Sequence, residues 1–191
     1  MIFNEHSDLK GSHSFLSASG YHWVNYDLEK LEDRFLNAMA AAKGTELHDF
    51  AAKAIELGVK LRGTGQTLNT YVNDAIGFGM IPEQVLFYSV NAFGTADAIK
   101  FQKATRNRKA LLRIHDLKTG KTPASMKQLE VYAAYFCLEY QYKPVELDFE
   151  LRIYQNDEVI VHEPELEDLV HIMDRIVTFD KHIEMLKAEV I

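Results

Sequence analysis

Alternation of apolar and charged residues in FGTADAIKF, residues 93–101, and in LLRIHDLK, residues 111–118, constrains the fold of this chain more than any other feature. In an extended strand, residues two apart share a face. Asp97, Ile99 and Phe101 therefore fall on one side of the first segment, and Leu112, Ile114, Asp116 and Lys118 on one side of the second. A hairpin turning at Arg106 and Asn107 sets Phe101 opposite Leu112, Ile99 opposite Ile114 and Asp97 opposite Asp116. Each match pairs like with like, as cross-strand neighbours on a buried face require, although a bulge would shift the register.

Two carboxylates brought side by side repel, so one is driven towards protonation unless a cation binds between them. Hard oxygen ligands suit Mg²⁺ or Mn²⁺. Such an ion lowers the pKa of a bound water and polarises a phosphoryl oxygen, and Lys118, one step along from Asp116, is placed to orient that water. Asp97 with Asp116-Leu117-Lys118 is thus a phosphodiesterase constellation. Taken alone, a D-x-K triplet also ends many strands as nothing more than solvated charge.

The surrounding motifs add specificity. Asp97, then Asp116-Leu117-Lys118, then Gln128-Leu129-Glu130-Val131-Tyr132, resembles the PD-(D/E)XK nuclease superfamily, in particular its RecB-like branch. Gly44-Thr45-Glu46-Leu47-His48 resembles that branch's earlier histidine motif, and the pieces occur in family order. The resemblance implies a restriction-endonuclease-like α/β fold and metal-dependent cleavage of DNA. It implies Asp97 and Asp116 as metal ligands, completed by the backbone carbonyl of Leu117. His48 becomes a third ligand or a substrate-side partner, with Glu46 as the alternative, and Gln128 and Tyr132 position the phosphate or the attacking water. It further implies an exonuclease of recombination, repair or phage metabolism in the cytoplasm of a bacterium or infected host. Homo-oligomerisation is open. A catalytically silent nucleic-acid-binding or inhibitor module, or an unrelated phosphoesterase acting on nucleotides, are the other classes. Many CRISPR-associated RecB-like nucleases carry a four-cysteine iron–sulfur cluster; the single Cys137 rules that arrangement out here.

The charge distribution agrees with a DNA partner. Whole-chain charge is −7, yet residues 100–127 hold nine basic residues and one acidic, a net +8 that leaves −15 elsewhere. A basic strip on an acidic body focuses a polyanion onto one surface. Arg106, Arg108, Lys109 and Lys121 are the candidate DNA contacts, and the hairpin arginines exceed what a mononucleotide needs.

At 191 residues the chain reads as one domain, residues 1–191. MIFNEHSDLK lacks the basic and apolar regions of a signal peptide, and no apolar run reaches membrane-spanning length. In the Ser/Gly-rich segment 11–26, Tyr21 and Trp23 are expected to cover the core or, with Ser17, to stack on DNA. Helical spacing predicts a helix over 28–42 closed by Gly44, and a second from Thr45 to Leu57. Residues 58–70 read as a loop whose GTGQT lacks a phosphate-loop ending, and 70–80 as a short helix. EQVLFYSVN begins a three-stranded antiparallel meander. Thr122 and Pro123 predict the start of the helix carrying Gln128 and Tyr132, residues 145–161 a hairpin turning at Asn156 and Asp157, and 165–189 a final amphipathic helix. His162 with Glu163 and Glu165 has metal-ligand chemistry, but acids at a helix start account for it more simply.

Overall fold

The computed structural model describes residue 5, residues 7–120 and residues 122–190. They divide into two compact units, residues 1–43 and residues 44–191. Within the first unit, Asp27 Oδ1 accepts a hydrogen bond from Lys30 N–H at 2.8 Å and caps helix α1, Leu28–Leu57. Trp23 Nε1 donates to the Ser17 carbonyl at 2.9 Å, and Phe15 meets Phe35 edge-on at 5.4 Å. These aromatics staple the Ser/Gly-rich turn to the first turns of α1. Tyr21 is exposed.

The predicted break at Gly44 is absent, because α1 is one helix through that position. An interior glycine costs about 1 kcal/mol relative to alanine, which does not end a helix with good formers on both sides. Gly44 answers instead to a close approach: a Cβ there would lie 2.8 Å from Thr119 Oγ1. The true stop is Gly58 at φ +67°, where Val59 N–H returns to the Ala54 carbonyl at 2.9 Å. Helix α2, Thr67–Phe78, begins three residues before the expected point. Its cap is distant in sequence: Asp157 Oδ1 accepts from Thr67 N–H at 2.7 Å and from the Thr67 hydroxyl at 2.9 Å.

The sheet contains β1 (Ile81–Ser89), β2 (Ala92–Gln102), β3 (Ala110–Leu117), β4 (Leu147–Gln155) and β5 (Glu158–His162), adjacent in that order. Every pair is antiparallel except β3–β4, whose parallel crossover is α3, Lys127–Tyr140. The β2–β3 ladder has the register read from the sequence, with Ile99 opposite Ile114 and Phe101 opposite Leu112. Thr105 and Arg108 bridge at its turn. Asn156 and Asp157, at φ 53° and 61°, make the β4–β5 turn. Helix α4, Leu166–Val190, closes the chain.

One sheet face packs Ile99, Leu112, Ile114, Leu151 and Ile153 against Leu129, Ala133 and Leu169 of α3 and α4. The other packs Ala98, Leu117 and Tyr154 against Ala51, Ile55, Val72 and Ala75 of α1 and α2. The architecture is a mixed α/β layer structure around a five-stranded mixed sheet. Among the described residues no helix is long and apolar enough to cross a membrane.

Helix α3 starts at Lys127, not at Thr122–Pro123 as the capping chemistry predicts. Backbone groups of Gly120, Thr122 and Ala124 are held by the Gln155 side chain, and this withdraws them from the helix.

Candidate metal centre

Strand parity carries the two aspartates to one end of the sheet. Ile99 and Ile114 are a buried cross-strand pair, and two residues beyond them stand Asp97 and Asp116. Asp97 Oδ2 accepts from Leu117 N–H at 2.9 Å and lies 3.3 Å from His48 Nδ1. Leu117 itself buries its side chain. Of the two candidates on α1, His48 is the one that reaches the acids; Glu46 is exposed.

Asp116 is 2% exposed. Lys118 Nζ donates to its Oδ1 at 3.1 Å and stands 2.9 Å from its Oδ2, so the ammonium pairs with both carboxylate oxygens. The same ammonium donates to Gln128 Oε1 at 2.8 Å, and Gln128 Nε2 donates to the Tyr132 hydroxyl at 3.1 Å. Gln128 and Tyr132, four apart on α3, thus form a chain that ends on the lysine.

Glu83 completes the cluster and was not singled out from the sequence. Single ligand atoms of His48, Glu83 and Asp97 all lie within 4.8 Å of one another. Pairing of Pro82 with Ala98 and of Gln84 with Ala96 places Glu83 across from Asp97. Its φ of +50° is the left-handed region, which a non-glycine residue enters at a cost of about 1 kcal/mol or more. The available signal was the β1–β2 register, which no motif advertises.

The electrostatics are those of a site short of positive charge. Burial, then the charge of Asp97, pushes the Asp116 carboxyl up to about 6 against the opposing pull of Lys118. Burial and Asp97 also raise Glu83. The hydrogen bond to Asp97 raises His48 in spite of its own burial. Two carboxylates and an imidazole within 4.8 Å of one another, beside the buried carboxylate of Asp116, make a donor set that fits a hard divalent ion.

Gly94 makes room for this arrangement, since a Cβ there would stand 2.8 Å from Tyr132 Cε1. Gly94→Ala is expected to destabilise the protein by about 1–3 kcal/mol through overpacking. Thermal melts check this, and combining Gly94→Ala with Tyr132→Ala is expected to recover part of the loss.

The basic residues sort differently. Arg113 is paired with Glu150 at 2.9 Å and covers the Phe78 ring, and Lys127 is paired with Glu130. Lys103, Arg106, Arg108 and Lys109 are exposed and carry no ion pair among the described residues. They occupy the far end of the β2–β3 hairpin. Five residues of strand from Asp97 to Gln102 span about 17 Å, so the structure does not bring them to the acids. Lys121 lies outside the described residues. His162 Nε2 turns to Glu130 Oε1 of α3 at 3.0 Å, so its ring is engaged there. Cys137 is buried, with its thiol pushed up to about 12 by burial.

Comparison with family models, with curated proteins and with solved structures finds no match to this chain.

Proposed function

We propose that this chain is a Mg²⁺- or Mn²⁺-dependent deoxyribonuclease of the RecB-like type, on a restriction-endonuclease-like fold. The observation that carries the reading is the cluster of His48, Glu83 and Asp97 beside Asp116, with Lys118 held between Asp116 and Gln128. Asp97 and Asp116 would hold the ion, with His48, Glu83 and the Leu117 carbonyl as further ligands. When bound, the ion supplies Lewis-acid polarisation of a phosphoryl oxygen and a water of lowered pKa.

The protein's own groups supply orientation. Lys118, fixed by Asp116 on one side and Gln128 on the other, directs its remaining proton to the attacking water and the developing negative charge. Gln128, braced by Tyr132, keeps the ammonium from collapsing fully onto Asp116. The basic hairpin holds the DNA backbone away from the chemistry, which suits a long polyanion and not a mononucleotide. An exonuclease acting in recombination, repair or phage DNA metabolism, as a cytoplasmic protein, is the setting that the resemblance implies, with homo-oligomerisation left open.

The test is cleavage of end-labelled linear and closed circular DNA with Mg²⁺, Mn²⁺ or EDTA, beside Asp116→Ala and Lys118→Ala. Metal-dependent loss of linear DNA alone, abolished by both substitutions, is the expected result. DNA binding without cleavage under any metal would replace this reading with a silent clamp or inhibitor. Reversal of Arg106, Arg108 and Lys109 to glutamate is expected to lower activity on long DNA at least about tenfold and flatten its salt dependence by about three phosphate contacts. A small phosphodiester substrate should be cleaved as before; equal loss on both would remove the hairpin from the DNA interface.

A further inference from the structure

Three hydrogen bonds converge on Gln155, the last residue of β4, which is 6% exposed. Its Nε2 donates to the carbonyls of Gly120 at 2.6 Å and Thr122 at 2.8 Å, and its Oε1 accepts from Ala124 N–H at 3.1 Å. Both donor protons are used, and the residue belongs to none of the motifs read from the sequence. The loop it grips joins Lys118 to α3, the helix that carries Gln128. Thr119, in the same connection, approaches α1, with its Oγ1 2.8 Å from where a Cβ at Gly44 would stand. Lys118 N–H meanwhile donates to the carbonyl of Tyr154, the residue before Gln155, at 2.9 Å.

From this geometry we infer that Gln155 is a positioning residue for the proposed centre: by holding Gly120, Thr122 and Ala124 it sets where Gln128 stands relative to Asp116, and so where the Lys118 ammonium is directed. The inference rests on the nuclease reading for its catalytic consequence but not for its structural one. A lysine side chain has four rotatable bonds, so its head is fixed only when its anchors are fixed. Asp116 is anchored by β3. Gln128 is anchored by the start of α3, where Met126 offers no side-chain cap and Ser125 Oγ accepts from Lys127 N–H at 3.2 Å, and the segment tied to Gln155 leads directly into that start. Displacing a catalytic group by about 1 Å is enough to cost about a hundredfold in rate.

The experiment uses the full chain carrying Gln155→Met, which keeps length and removes every hydrogen bond, and Gln155→Glu. The latter keeps the acceptor for Ala124 but turns an ionised oxygen towards two carbonyls. With linear DNA and Mn²⁺, Gln155→Met is expected to lower kcat about tenfold to a hundredfold, with KM and the metal-induced rise in Tm unchanged. Protonation restores a donor to Gln155→Glu, so its kcat relative to Gln155→Met is expected to rise as pH falls from about 8 to 6. A kcat within about twofold of the parent, or a ratio flat with pH, would overturn the inference. A second readout does not need cleavage: acylation of Lys118 by an amine reagent, followed by mass spectrometry, is expected to speed up about threefold or more in Gln155→Met as the Gln128 contact loosens. Should no metal support cleavage by the parent chain, the nuclease reading falls while this rate still decides the inference, and an unchanged rate would end it.

Discussion

Asp116→Asn is expected to cut metal-dependent cleavage by about 10³-fold or more and, in the absence of metal, to raise the melting temperature. The two effects have one cause. The Asp116 carboxyl has its pKa raised from 3.8 to about 6 by burial and by Asp97. A raised carboxyl means that the folded state binds the proton more tightly than the unfolded chain. Its favourable contribution is therefore fully present below about pH 4 and is lost as pH climbs to about 6. Above that pH the ionised group costs on the order of 2–3 kcal/mol, with the favourable pull of Lys118 already included. Asparagine removes the charge, keeps an acceptor for the lysine and relieves the repulsion. Melting in EDTA at pH 8 should favour the variant by several degrees, and the gap should close at pH 4.5. A variant that melts lower at pH 8 would mean that the Lys118 pair outweighs the repulsion.

Saturating Mn²⁺ is expected to stabilise the parent chain strongly. Ligand at about a hundred times its Kd contributes about 2.7 kcal/mol, and for a chain of this size that corresponds to about 5–10 °C. His48→Ala and Glu83→Gln should each reduce the shift, whereas Glu46→Gln and Arg106→Glu should leave it intact. Acid should weaken it as well: His48 must be neutral to ligate, and with its pKa raised by Asp97 it protonates earlier on the way down. Equal shifts in the parent and in His48→Ala would remove His48 from the ligand set.

What could be read from the sequence was whatever is written in local periodicity. The β2–β3 register followed from matching Phe101 with Leu112 and Ile99 with Ile114; the ladder ends at Ala98 and His115, one step before the expected Asp97–Asp116 pair, where Asp97 turns its carboxylate to Leu117 N–H instead. The β4–β5 turn followed from Asn156 and Asp157, which tolerate positive φ. The misses share a different origin. Gly44 reads as a helix stop, but its lack of a side chain serves Thr119, seventy-five residues away. Thr122 and Pro123 read as a helix start, but Gln155 on β4 claims that backbone. Asp157 caps α2 from ninety residues downstream. Glu83 stayed invisible because a lone acid in an apolar strand has no periodic signature, and only its place opposite Asp97 brings it to the site. In each case a contact distant in sequence, polar at Gln155 and Asp157, steric at Gly44 and set by register at Glu83, decided what local preference could not.

The single parallel junction in the sheet bears on how the molecule assembles. Strands β1 to β3 can zip as successive hairpins, each closing a short loop, while β4 must wait for α3 before it can dock beside β3. Such non-local pairing carries the larger loop-closure entropy and is the slower event. Every ligand residue of the proposed centre lies upstream of that closure. During synthesis the nascent chain therefore presents the acids, and the unpaired flank of β3, before β4 arrives to cover it. That interval, about thirty residues of translation or roughly two to six seconds, is when the chain is most exposed to wrong pairing. Substitutions that weaken β4 should accordingly lower the yield of native protein more than their effect on equilibrium stability would suggest.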